Sequence, residues 1–218
     1  MAVPIVAPTI TTANPTEYKE IIKKYYSFTK RIHIDASDGT LSPNMPTLMS
    51  ETAIWWPKGW QVDIHLMSAE PGNHLDNLIK LHPNLVILHP EAKDDLLSIF
   101  DTLKQNGMKV GVAITKNIYP PSIKPIIEAA DYALIFSGTL GKQGGEADLL
   151  LLEKVQLIQE IHQAIEIGWD GGANLENIRT IVHGGVTVIN VGSAISKADD
   201  PQKMYTALMA ETEKEDPI

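Results

Sequence analysis

The 218-residue chain is predicted to be an α/β protein folded as a closed (β/α)8 barrel, and three observations carry that expectation. Short apolar runs of strand length alternate with longer stretches of helical period along the whole sequence. Several of these runs are almost wholly Val, Ile and Leu without polar alternation, the pattern of parallel strands covered on both faces. No G-x-G-x-x-G follows the first run, which disfavours an open doubly wound sheet, whereas eight equal units close without edges.

In order, the expected strands are residues 4–7, 32–35, 62–66, 85–88, 109–113, 132–136, 165–169 and 186–191. After the first, Asn14-Pro15-Thr16-Glu17 supplies an N-cap, a proline at the first helical position and a carboxylate at the third. Tyr18, Ile21, Ile22 and Tyr25 then repeat at helical spacing. The helical pattern is weakest after the second strand, at residues 47–56. Leu96, Ile99, Phe100 and Leu103 form an apolar stripe stopped by Gly107, and Leu151, Val155, Ile158 and Ile161 form another. Asp200-Pro201 repeats the capping device ahead of Met204, Tyr205 and Leu208. No composition shift or Pro/Ser-rich linker divides the chain, so one domain over residues 1–218 is expected.

Composition narrows the function classes. Lys and Arg number 18 against 27 Asp and Glu, a net charge of −9, and the densest basic run, residues 19–30, is interleaved with Tyr and Ile. Such a surface repels a phosphate backbone, so no nucleic-acid partner is expected. The absence of cysteine excludes disulfides and thiolate metal sites, leaving His and carboxylates as the available ligands. No apolar run is long enough to span a bilayer, and residues 1–11 lack the basic and apolar regions of a leader. The expectation is no membrane partner and a cytoplasmic location.

In a barrel of this kind, chemistry sits where strands end and loops begin. The second strand ends with His33 and Asp35, two apart and therefore on the same side. The third ends at His65 and the seventh at Asp170, so His33, Asp35, His65 and Asp170 are expected to converge in one mouth. A single His or Asp at a strand end is ordinarily a structural hydrogen-bonder. Four together, if buried, would each need a partner, which favours one shared divalent ion: Zn, Fe(II) or Mn. His89, in Leu88-His89-Pro90-Glu91, lies on the same face as either pocket lining or structural support. His74, His82, His162 and His183 are expected on the surface away from it. Gly171-Gly172 and Gly192-Ser193 fall on the loops after strands seven and eight, where backbone N–H groups and helix N-termini bind phosphate. A third glycine-rich segment, residues 137–145, includes Gly144 and Gly145 and would close over a ligand.

These blocks resemble the ribulose-phosphate 3-epimerase family. The resemblance rests on Ile32-His33-Ile34-Asp35-Ala36-Ser37-Asp38-Gly39, Pro43-Asn44, Val62-Asp63-Ile64-His65-Leu66-Met67, Trp169-Asp170-Gly171-Gly172 and Val191-Gly192-Ser193-Ala194. Ala7-Pro8-Thr9-Ile10 and the His89/Glu91 pair add to it, in order along nearly the whole chain. It implies a TIM barrel of the ribulose-phosphate-binding type, with one divalent metal held by His33, Asp35, His65 and Asp170. It also implies interconversion of D-ribulose 5-phosphate and D-xylulose 5-phosphate, with Asp35 and Asp170 as base and acid. Substrate contacts are then expected from Thr9, Met67, His89, Gly144, Gly145, Gly171, Gly172, Gly192 and Ser193, in a homo-oligomer acting on a phosphorylated ketose. The chemistry suits these residues. Inverting a carbon beside a ketone removes a proton from one face and returns one to the other through an enediolate, with the metal neutralising the oxyanion.

Departures from the family pattern keep other readings open. Thr9 replaces a serine, Thr11 an apolar residue and Ser37 a methionine, while Gly168 and Trp169 replace an acidic or amide residue and a small aliphatic one. The loop Leu140-Gly141-Lys142-Gln143-Gly144-Gly145-Glu146 stands where the family has Pro-Gly-Phe-Gly-Gly-Gln. D-allulose 6-phosphate is therefore an alternative substrate, and a catalytically silent paralogue an alternative role. A lyase reading, from the neighbouring barrels that decarboxylate orotidine or 3-keto-gulonate phosphates, needs Asp-x-Lys-x-x-Asp at the third strand. Asp63-Ile64-His65-Leu66-Met67-Ser68 lacks both the lysine and the second aspartate.

Overall fold

The apolar runs form the parallel strands of a closed barrel in the computed structural model, which describes residues 3–42, 54–140 and 144–214. The strands are β1 (Ile5–Ile10), β2 (Arg31–Ser37), β3 (Gln61–Met67), β4 (Leu85–Leu88), β5 (Lys109–Thr115), β6 (Tyr132–Phe136), β7 (Glu166–Asp170) and β8 (Val188–Val191). Each pairs with its neighbour in chain order and β8 closes on β1, so the fold is a (β/α)8 barrel. β1 continues three residues past the expected end at Ala7. Pro8 lacks a donor and so removes one ladder bond without ending the strand, and β1 meets β2 only beyond it, at Thr9 and Ile10.

Helices α1 (Pro15–Tyr25), α2 (Leu75–Leu81), α3 (Leu96–Gln105), α4 (Lys124–Ala129), α5 (Glu153–Ile161), α6 (Ile178–His183), α7 (Ser193–Ser196) and α8 (Pro201–Thr212) cover the outside. Asn14 Oδ1 caps α1 by accepting from the N–H groups of Thr16 and Glu17, and Asp200 caps α8 by accepting from Lys203 N. α3 buries the whole stripe Leu96, Ile99, Phe100 and Leu103. Leu151 belongs instead to a 3-10 turn, Leu149–Leu152, that leads into α5. Pro43, Asn44 and most of segment 47–56 lie outside the described residues, and residues 54–56 are not helical. No helix among the described residues is long and apolar enough to cross a membrane.

Inside the ring, side chains stack in layers. Ala7, Leu85, Ile87, Ala113, Tyr132, Leu134 and Val188 form the apolar middle. Below them, Arg31 donates from Nε to Asp63 Oδ2 at 2.8 Å and clasps Glu166 through Nη1 and Nη2 at 2.9 and 3.2 Å, tying β2 to β3 and β7. Above them lie the polar strand ends.

Candidate active site

His33 and Asp35 lie on β2, His65 lies on β3 and Asp170 ends β7, and the structure brings their donor atoms within 4.8 Å of one another; β2 and β3 run two residues beyond Asp35 and His65. His33 Nε2 lies 3.4 Å from Asp35 Oδ1 and 3.9 Å from Asp170 Oδ2, while His65 Nδ1 lies 3.2 and 3.9 Å from the same two atoms. Ligands about 2.1 Å from a tetrahedral ion would be about 3.4 Å apart, close to this spacing. His33 is fully buried, and neither ring nitrogen has a hydrogen-bond partner among the described residues. A buried imidazole turned toward two carboxylates without a bond to either is chemically satisfied by a shared cation.

The two carboxylates differ in proton affinity before any ion binds. Burial raises Asp170, and the neighbouring Asp35 charge adds to this, so it is pushed up to about 7. Burial acts on Asp35 too, but the polar contact and charge of His33 and His65 outweigh it and hold Asp35 well below the usual carboxylate range. Burial also lowers His65, to about 4, with His89 adding to the effect and Asp35 opposing it. Around neutrality one carboxylate is ionised while the other is poised to hold a proton.

Asp35 and Asp170 open onto a cavity of about 450 Å³ that Thr9, Met67, Gly144, Gly171, Gly172, Gly192 and Ser193 also line. His33 and His65 are fully buried at the strand ends beside these carboxylates, and Gly145 is exposed next to Gly144. Gly171 and Gly172 have φ of 111° and 72°, and a Cβ on them would stand 2.4 Å from Gly138 N and 2.2 Å from Ala147 N. Packing of the loop after β6 against the loop after β7 therefore demands these glycines. Helix N-termini contribute less than expected, because α6 starts only at Ile178 and α7 has four residues. Lys142 and Gln143 lie outside the described residues.

Two histidine expectations are corrected. His89 does not line the cavity: it is 1% exposed, and its Nε2 lies 2.7 Å from His65 Nε2, with Nδ1 3.5 Å from Glu91 Oε2. It supports His65 from behind. His74 is not a remote surface residue, since its Nε2 lies 2.9 Å from Asp38 Oδ2 at the end of the β2 segment. His82 and His183 are exposed, whereas His162 is half-buried. Sequence reasoning noted Thr11 only as a departure from the family pattern and missed that its hydroxyl donates to Asp35 Oδ2 at 2.7 Å, and it passed over Asn190, which lines the cavity. The signal for Asn190 was there: an amide inside the apolar run of strand eight, two residues before Gly192 and so on that residue's side of the strand. Ser37 is fully buried, accepts from Gly39 N and does not line the cavity.

A family model described as the Ribulose-phosphate 3 epimerase family matches residues 5–196. Ribulose-phosphate 3-epimerase of Schizosaccharomyces pombe is 26% identical over 181 residues, covering 81% of this chain and 79% of its own. The enzyme of the same name from Aquifex aeolicus is 27% identical over 176 residues, 78% of each chain. Among solved structures, KGPDC from Streptococcus mutans aligns with a TM-score of 0.71 at 15% identity, covering 96% of this chain and 97% of its own. Orotidine 5'-phosphate decarboxylase from Pyrococcus horikoshii aligns at 0.65 and 15% identity, covering 97% of this chain and 100% of its own. At such identities these two structures speak for the fold alone.

Proposed function

Since the chain belongs to the ribulose-phosphate 3 epimerase family, a family of isomerases, we propose that it inverts C3 of a ketose phosphate, converting D-ribulose 5-phosphate to D-xylulose 5-phosphate. One observation carries this reading: two carboxylates, Asp35 from β2 and Asp170 from β7, face one cavity, with burial raising the proton affinity of Asp170 and the neighbouring histidines lowering that of Asp35. Ionised Asp35 takes the C3 proton from one face. Protonated Asp170 returns a proton to the other, and the reverse reaction exchanges the roles. Thr11 holds the Asp35 carboxylate in place. Met67 and Phe136 present apolar walls to the reacting carbon. Backbone N–H groups at Gly172, Gly192 and Ser193 take the phosphate, whose binding holds C3 between the carboxylates.

His33, Asp35, His65 and Asp170 would hold a divalent ion, and their nitrogen and oxygen donors suit Zn, Fe(II) or Mn(II). Bound there, the ion supplies positive charge against the oxygen that turns negative as C3 is deprotonated. A second substrate has one specific observation in its favour. Ser196, Lys197 and Lys24 also line the cavity and offer polar and cationic groups to the phosphate of a longer chain such as D-allulose 6-phosphate.

The test is a screen of both ketose phosphates for epimerisation, with and without added Zn(II), Fe(II) and Mn(II). Exchange of the C3 proton with solvent deuterium is followed in parallel. Asp170→Asn is expected to lower turnover by a factor of at least about 100. Full activity in that variant removes Asp170 from the mechanism, and no turnover of either sugar by the wild type leaves the silent paralogue.

A further inference from the structure

We propose that Asn190 is a specificity-determining residue that reads the hydroxyl on the substrate carbon between C3 and the phosphate-bearing end. The assignment rests on the ketose-phosphate reading above.

Register fixes where this side chain points. Asn190 on β8 pairs with Asp170 on β7 and with Ala7 on β1, so all three project to the same side, the barrel interior. The residue is 1% exposed and lines the cavity, yet both Oδ1 and Nδ2 lack a hydrogen-bond partner among the described residues. Val188 and Ala7, its neighbours in the layer below, are apolar and offer it nothing. A buried amide with both ends unpaired disfavours folding and is retained where something else completes it.

The cavity is what remains for that amide to address. To one side stands Asp170, and two and three residues further along the chain, just past the end of β8, come Gly192 and Ser193, the wall assigned to the phosphate. A ketose phosphate with C3 between the carboxylates and its phosphate at that wall brings the intervening carbon past Asn190. In D-ribulose 5-phosphate this is C4, which carries a hydroxyl. An amide offers one acceptor and one donor group, so it can pair with a hydroxyl in either sense. A site built to bond a hydroxyl discriminates strongly against a ligand that lacks it.

The experiment compares wild type, Asn190→Val and Asn190→Thr on D-ribulose 5-phosphate and its 4-deoxy analogue. For Asn190→Val, kcat/KM is expected to fall about 10- to 100-fold on the hydroxylated substrate and to change less than about 3-fold on the deoxy analogue. Asn190→Thr, which keeps a hydroxyl, recovers part of the loss. Thermal denaturation of the ligand-free proteins should show Asn190→Val at least as stable as wild type, because it removes an unpaired buried amide. Equal losses on both substrates would mean that Asn190 braces Asp170 and would overturn the assignment, as would no loss on either.

Calorimetric binding separates failure of this inference from failure of the proposed reaction. The probes are the non-reacting polyols D-ribitol 5-phosphate and its 4-deoxy form. If wild type epimerises neither ketose phosphate, the reaction is wrong, and a hydroxyl-dependent loss of polyol affinity in Asn190→Val still supports the reading of the hydroxyl. Equal affinity of wild type and variant for D-ribitol 5-phosphate, or no binding by either, overturns it.

Discussion

The Thr11 hydroxyl donates to Oδ2 of Asp35 at 2.7 Å, while Oδ1 of the same carboxylate faces His65 Nδ1 at 3.2 Å and His33 Nε2 at 3.4 Å. Each oxygen is thereby held by a different partner, and the carboxylate plane is fixed relative to the cavity. Thr11→Val keeps the shape and removes the donor. Its kcat is expected to fall about 10-fold with KM little changed, and Thr11→Ser should restore most of it. Wild-type kcat in Thr11→Val would show that the bond does not position Asp35.

His89 is expected to govern metal affinity. With an ion on His65 Nδ1, the proton of that ring sits on Nε2 and donates to His89 Nε2, 2.7 Å away, and His89 Nδ1 then faces Glu91. His89→Ala removes this support. Zn(II) affinity, measured by competition with a chelating dye, should drop about 10- to 100-fold. Unchanged affinity would leave His89 as packing alone.

Gly168 and Tyr132 form a complementary pair across β7 and β6. A Cβ on Gly168 would lie 1.7 Å from the Tyr132 hydroxyl oxygen and 2.4 Å from the ring carbon bearing it. That hydroxyl is buried without a hydrogen-bond partner among the described residues. Gly168→Ala is expected to cost about 1–3 kcal/mol in denaturant unfolding, as overpacking does. Tyr132→Phe alone should be neutral or stabilising, and the double variant should recover part of the loss. Strict additivity of the two changes would contradict this.

Asp38 joins the loops after β2 and β3. Its Oδ2 accepts from Ser68 Oγ at 2.6 Å and faces His74 Nε2 at 2.9 Å, and its Oδ1 accepts from Thr40 N and Oγ1 at 2.9 and 2.6 Å. Burial opposes ionisation, but these bonds outweigh it and hold Asp38 below its ordinary value of 3.8. A carboxylate lowered in the folded state contributes stability that is fully present above its unfolded pKa and is lost as pH falls toward the folded one. Wild type should therefore exceed Asp38→Asn in denaturant midpoint at pH 7, with the gap shrinking below about pH 4. A gap that stays constant from pH 7 to pH 2 would count against the assignment.

The strands were legible wherever an apolar run had sharp ends, as at Leu85–Leu88 and Tyr132–Phe136, which match residue for residue. The four candidate ligands were legible because position at a strand end and side-chain parity together determine which way a residue faces. Contacts set between segments were harder to read. His74 looked remote until the segment after β3 turned it back toward Asp38, and His89 looked like pocket lining until the turn after β4 brought its ring against that of His65. Thr11 stood beyond an expected strand end, so nothing local connected it to Asp35. Gly171 and Gly172 were noticed for ligand approach, but their stronger constraint comes from the backbone of the loop after β6, a whole strand–helix unit earlier in the chain.

Closure of the ring sets the order in which this chain can become competent. Three of the four candidate ligands, His33, Asp35 and His65, lie on neighbouring strands and meet through the β2–β3 ladder alone. Asp170 comes with β7 and Asn190 with β8, whose pairing of Val188 with Ile5, 188 − 5 = 183 residues away in sequence, closes the ring. Contacts so distant in sequence carry the largest loop-closure entropy and tend to form late in folding. A chain that stops before β7 would keep His33, Asp35 and His65 on one ladder but lack Asp170. Closure of the ring and completion of the four-residue cluster are thus tied together: the cluster exists only in a chain that has folded through its last strands.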